Sequence, residues 1–361
     1  MELRRYLDDV EARIDDAVEC DIARRWLDFC DLRCETEFFS PARRPAPPRV
    51  KWPHVVINRA FDDMELMLYS QLKGVSDVLA DGSGLMLSVR ANYGTGIIPS
   101  MFGAGIFALD DSADTLPGAM ALPGGVEALR PIVEEHRIDY SRGLAPRVFE
   151  FAQRWQELTR DYPRIRRHVH MYNPDLQGPF PLVDMLAGSD IYYALYDEPE
   201  LIHSALTLMT EVYLDFTARW QALCPAYDAE HSIEWGLLHR GRTMLRNDAI
   251  VNLSPAMYRE FALPYDARVF AALGGGMHFC GRGDHYIADA CALEGLSCIN
   301  MSQPELNDME RIYRATVDAG KLIIGLPAHE IARAGAQGRP LRGRVHSGAA
   351  LSAYARGGRL S

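Results

Sequence analysis

The sequence predicts an α/β protein built on parallel strands, with a helical extension in front. Three observations point there. Short apolar runs recur at His54–Ile57, Leu85–Val89, His168–Met171, Thr243–Leu245, Met277–Phe279, Leu296–Met301 and Leu322–Gly325. Segments of helical period lie between them, such as Glu198–Trp220 and Pro255–Leu273. Repeated strand–helix units mean a parallel sheet, and 361 residues suit either a (β/α)8 TIM barrel or a doubly wound fold. No Gly-x-Gly-x-x-Gly follows a strand, so the dinucleotide-binding form loses ground.

Residues 1 to 36 read as one amphipathic helix. Leu3, Leu7, Val10, Ile14, Val18, Ile22, Trp26 and Phe29 recur at three- and four-residue steps among charged residues. That stripe suits docking on the body or on a second subunit, and a homodimer is expected. Residues 41–53 hold five prolines and read as an extended connector. The division is therefore 1–53 extension and connector, 54–345 barrel, and 346–361 an Arg/Gly-rich tail. Ser254-Pro255 and Asp197-Glu-Pro are helix entries, serine and aspartate being good caps and proline a good first helical residue. From Ile331 onward there are six arginines and no acid: a solvated tail, or an arm for an anionic ligand or partner.

Hydrophobic residues make up 48% and charged residues 24%, ordinary for a globular protein. The net charge of −11 argues against a general nucleic-acid binder, which needs cations to displace phosphate counterions, and against an anionic membrane surface. The longest uncharged run, Ala91–Leu109, is broken by Gly94, Gly96, Pro99, Gly103 and Gly105 and reads as strand, loop and strand. The N-terminus lacks the apolar stretch of a signal peptide. Seven dispersed cysteines suggest a reducing compartment, so a cytoplasmic location is expected.

The segment richest in chemistry is Gly274-Gly-Gly-Met-His-Phe-Cys-Gly-Arg-Gly283. On a strand, His278 and Cys280 share one face, and at a strand's carboxyl end that face meets the active-site mouth. An imidazole and a thiolate so placed are two of the three protein ligands a catalytic zinc needs. The alternative is a buried thiol beside a hydrogen-bonded histidine. Other strand ends add polar residues. Arg90, Asn92 and Tyr93 enter a Gly-rich loop and read as substrate-binding or as an ordinary turn. Asp77 reads as a catalytic carboxylate or as a cap. His168 and His170 read as a packed pair rather than a metal pair. Gln177, Glu234 and Gln303 are substrate-binding candidates, Glu234 alternatively a surface carboxylate, and Asn247 and Asp248 are catalytic or mouth-lining ones. His285 reads as a general acid or base, or as a cap for the following helix.

His278-Phe-Cys-Gly281 follows Leu253-Ser-Pro-Ala-Met-Tyr-Arg-Glu-Phe-Ala-Leu-Pro-Tyr265 by one helix, and both resemble the uroporphyrinogen decarboxylase superfamily. Gly178-Pro-Phe-Pro-Leu-Val-Asp-Met-Leu-Ala-Gly188 with Tyr196-Asp-Glu-Pro-Glu-Leu-Ile-His203 is similar to a second block of that family. Val75-Ser-Asp-Val-Leu79 is similar to its early strand with an active-site Asp. The resemblance implies a (β/α)8 barrel over about 54–330. The decarboxylases' N-terminal arginine motif and C-terminal Asn-Leu-Gly-His-Gly are absent, and their substrate tyrosine falls near Asp184 or Met185. The resemblance therefore leans to the zinc-dependent, corrinoid-linked methyltransferases, which are distantly similar to cobalamin-independent methionine synthase. It implies zinc on His278 and Cys280, with Glu305 favoured over His329 in place of that branch's missing cysteine. It also implies methyl transfer to the thiol of a small-molecule substrate, a corrinoid protein being the donor. The alternatives are a metal-free decarboxylase or lyase for a small carboxylated substrate, in which Asp77 stabilises a cationic intermediate, and a non-catalytic binding barrel.

Overall fold

The computed structural model describes residues 3–348. Ten strands are present among them: β1 (Ser88–Val89), β2 (Ile106–Phe107), β3 (Gly118–Ala119), β4 (His170–Met171), β5 (His231–Glu234), β6 (Leu237–Arg240), β7 (Thr243–Arg246), β8 (Gly275–Phe279), β9 (Leu296–Met301) and β10 (Leu322–Ile323). β7, β8, β9 and β10 form a parallel sheet in that spatial order, and β1 pairs with β4, also in parallel. A single bridge, Gln177 with Arg246, links the segment after β4 to β7. Ile323–Val345 and Phe39–His346 bridges extend the other edge. The chain is thus α/β with parallel sheets. The pairing among the described residues does not trace a closed eight-stranded ring, because β1, β4 and β10 are two residues long and their neighbours meet at single bridges.

Several segments differ from their sequence expectation. The N-terminal helix is two, Arg4–Arg13 and Asp16–Cys30. Ile14 is extended, and Asp15 caps the second helix by accepting from the N–H groups of Ala17 and Val18. A good cap inside an apolar stripe starts a new helix. The stripe is nonetheless covered: Leu7, Val10, Ile14, Ile22, Trp26 and Phe29 are all buried by the chain's own body, which leaves that face no part in holding a second subunit. His54–Ile57 is not a strand but the approach to the Ile57–Asp62 helix, whose first N–H bonds Asp114. Val75–Leu79 lies within the Met64–Asp81 helix, with Leu68, Leu72, Val75 and Leu79 on its buried face. The helical period overrides the resemblance to a strand. The Pro255–Leu273 helix breaks at Ala262, before Pro264, where the ring cannot donate. Ala91–Leu109 includes a short helix, Ile97–Met101, before β2 turns back on β3 as an antiparallel pair.

The extension closes over the sheet edge through aromatic packing. Trp26 donates its indole N–H to the Gly84 carbonyl at 2.7 Å and lies 4.6 Å from the His346 ring. Phe29 stacks on Phe39, ring centres 4.6 Å apart. His346 and Ser347, placed by the sequence in the tail, are buried, while residues 349–361 lie outside the described residues. No helix among the described residues is long and apolar enough to cross a membrane.

His346 gives this packing a pH limit. Its Nδ1 accepts from the Gly325 N–H, and burial holds its pKa down at about 3, against an ordinary 6.5. Below the ordinary value the unfolded chain takes up a proton that the folded chain refuses, so stability falls as pH drops through that window. His346→Phe is expected to flatten the loss of urea midpoint between about pH 7 and about pH 4.

Candidate functional site

Strand register builds the site. Arg246 of β7 is level with His278 of β8, and His278 with Asn300 of β9. Two residues further on, past the carboxyl ends, Asp248, Cys280 and Ser302 repeat the same face one pleat higher. The glycines at the start of β8 permit the close strand approach: a Cβ on Gly275 would stand 1.8 Å from the Thr243 carbonyl oxygen. Gly281, at φ 83°, turns the chain away directly after Cys280.

Asp248, His278 and Cys280 are brought together, with one ligand atom from each lying within 4.8 Å of the others. His278 Nε2 is 3.5 Å from both Cys280 Sγ and Asp248 Oδ1. Each is held from behind. Asn300 donates its amide to the Ile324 carbonyl, so its Oδ1 accepts from His278 Nδ1 at 2.6 Å and leaves Nε2 with its lone pair inward. Asp248 accepts from the Cys280 N–H at 3.1 Å and from the Gln177 amide at 2.9 Å. Cys280 Sγ lies 3.3 Å from the Ser302 hydroxyl. Burial, with Asp248 adding to it, pushes the Cys280 thiol up to about 12.

Beneath this row lies a buried ion cluster. Arg246 pairs with Glu234 through a very short contact and with Asp175 at 3.0 Å, and Arg90 meets Asp175 at 3.1 Å. Burial raises Glu234 to about 8. Burial would raise Asp175 as well, but two guanidiniums outweigh it and hold that carboxyl below the usual range. Beside the cluster opens a cavity of about 330 Å³, lined by Tyr69, Lys73, Asp77, Arg90, Asn92 and Trp235 among others.

The sequence-derived candidates divide accordingly. Arg90 and Asn92 line the cavity, and the Asn92 Oδ1 is shielded without a partner among the described residues. Asp77 also lines it, but from a helix rather than a strand end, and is paired with Lys73 at 2.7 Å. Tyr93 turns inward against Phe61 and Phe151, because its ring completes the core beside Arg147. Asn247 is buried behind the row, donating to Asp266. His285 is bonded to the Leu253 carbonyl, and Gln303 accepts from the Gly281 N–H; both secure loops. Glu234 is enclosed with Arg246. Glu305 does not reach the group. Pro304 starts a short 3-10 turn that leaves Glu305 exposed, and Asp248 is the acidic residue that meets His278 and Cys280. His329 is exposed beside Glu330. His168 ends a helix and bonds Asp16, while His170 on β4 packs against Tyr227.

Sequence reading missed the β5–β6 hairpin, with Trp235 and Gly236 as its two-residue turn, and missed Asp175, Arg246 and Asn300. The signal for the hairpin was a Trp-Gly pair between two short β-prone runs. For Arg246 and Asn300 it was their place on apolar strands, where a polar residue needs a buried partner.

No protein-family model matches the chain, and no curated protein matches it in sequence. Solved structures do match. A methyltransferase from Methanosarcina mazei superposes with a TM-score of 0.59 at 15% identity, covering 90% of this chain and 92% of that one. At that identity the likeness establishes a shared fold.

The ion cluster should dominate local stability. Arg246→Met takes from buried Asp175 its main cation and from Glu234 its partner, and a loss of about 3–5 kcal/mol is expected in urea denaturation at neutral pH.

Proposed function

We propose that this protein is a methyltransferase of the uroporphyrinogen decarboxylase-like kind, with strands curving into the barrel of that superfamily. It moves a methyl group to a thiol, and Asp248, His278 and Cys280 would hold a zinc ion there. The observation that carries the reading is the convergence of these three side chains at the carboxyl ends of two adjacent parallel strands. The methyltransferase fold likeness and the His-x-Cys-Gly resemblance support it.

The residues fit the metal. A nitrogen, a sulfur and an oxygen donor suit zinc, and three protein ligands leave a position open for substrate. The imidazole is oriented by Asn300 and the carboxylate by Gln177, the outer-shell arrangement metal ligands need. The thiol's pKa of about 12 means that Cys280 keeps its proton at neutral pH unless a cation stands beside it. Bound there, zinc supplies Lewis acidity that lowers the pKa of an acceptor thiol.

The chain's own residues do the rest. Asn300 fixes the tautomer that presents His278 Nε2. Gln177 and the Cys280 N–H aim Asp248. The cavity beside Arg90 and Asn92 receives the remainder of the acceptor, and a corrinoid protein is the methyl donor.

Metal analysis tests this. Protein prepared with zinc should hold it stoichiometrically, and Cys280→Ala should lose it while keeping the circular dichroism of the wild type. Asn300→Leu should weaken zinc binding by about 10–100-fold. Zinc-free wild type would overturn the reading and make His278 and Cys280 substrate contacts or packing.

A further inference from the structure

Trp235 holds a conformation that its side chain does not favour. It stands with Gly236 in the two-residue turn between β5 and β6, at φ 51°, and Gly236 is at φ 77°. Both central residues at positive φ are what such a turn demands, and glycine, asparagine or aspartate takes that place without strain. A bulky residue in the left-handed region is uncommon, and what the indole touches is therefore informative.

The indole meets Arg246, His278 and the cavity. Its face carries the Arg246 guanidinium at 4.9 Å. The His278 ring meets it at 64°, centres 5.0 Å apart. It also lines the 330 Å³ cavity, whose lining includes none of Asp248, His278 and Cys280. Arg246 is itself gripped by Glu234 and Asp175, so the indole cannot swing towards the ion cluster without breaking a buried pair.

We propose that Trp235 is the specificity-determining partition between the cavity and the Asp248–His278–Cys280 group. The indole sets the width of the group that passes from the cavity to the Cys280 thiol. The acceptor class is then a thiol on a narrow, unbranched chain, whose wider remainder stays beside Arg90 and Asn92. This rests on the reading of the three residues as the reactive centre, but its test needs neither metal nor turnover.

The experiment is alkylation of Cys280 in metal-free full-length protein, with iodoacetamide as the narrow reagent and pyrenylmaleimide as the wide one. Peptide mass spectrometry reads each cysteine. The ratio of wide to narrow labelling cancels changes in the thiolate fraction. Wild type should strongly favour the narrow reagent at Cys280. Trp235→Ala should raise the wide-to-narrow ratio roughly tenfold, and Trp235→Phe should raise it less. The ratio at exposed Cys20 should stay unchanged in all three. An unchanged Cys280 ratio in Trp235→Ala would overturn the proposal, and so would wide labelling of wild-type Cys280 at the Cys20 rate. Should Trp235→Ala fail to fold, Trp235→Phe decides, an unchanged ratio again overturning it. Loss of the zinc reading alone would leave these outcomes untouched.

Discussion

The burial of the Arg246 guanidinium is the constraint on which the site depends. Removing such a charge from water costs several kcal/mol unless carboxylates and carbonyls answer it. Here they come from separate segments: Glu234 from the β5–β6 hairpin, Asp175 and the Pro174 carbonyl from the loop after β4. The cation therefore ties the hairpin and that loop to the end of β7. It also places the Trp235 face, and through Asp175 it orders Arg90 at the cavity wall.

From that anchor, register carries the order outward. The Asn247 N–H bonds the His278 carbonyl, so the backbone beyond Arg246 stays aligned with β8 until Asp248 faces Cys280. Asn300 extends the same row onto β9 and passes it to β10 through the Ile324 carbonyl. Three strands thus share one polar line, flanked by apolar packing from Met277, Phe279 and Ile299. A second closure lies at the far edge. There Trp26, Phe29, Phe39 and His346 join the N-terminal extension to the strand end after β10.

Much of the frame was legible in the sequence. The runs at Thr243–Leu245, Met277–Phe279 and Leu296–Met301 are strands because β-prone apolar residues cluster there between helical periods, and the His278–Cys280 pairing on one face follows from a period of two. Trp26 and Phe29 were read as buried from the three- and four-residue spacing, although the cap at Asp15 split the helix that carries them. Tyr93 and Asp77 show the limit of local reading. Both were singled out for their neighbours in sequence, yet one fills the core and the other rides on a helix.

By itself the sequence determined the alternation of elements, the stripe of the extension and the His-x-Cys face, because each follows from a short-range period that any chain segment obeys. Only the tertiary structure decided that Asp248 rather than Glu305 completes the group, since that choice rests on the register of β7 against β8 and on the turn at Pro304. It alone decided that Glu234 and Asp175 share Arg246, and that Trp235 meets both the cavity and the His278 ring. Those relations join residues on separate segments of the chain, and a buried charge finds its partners through packing, which no local pattern encodes.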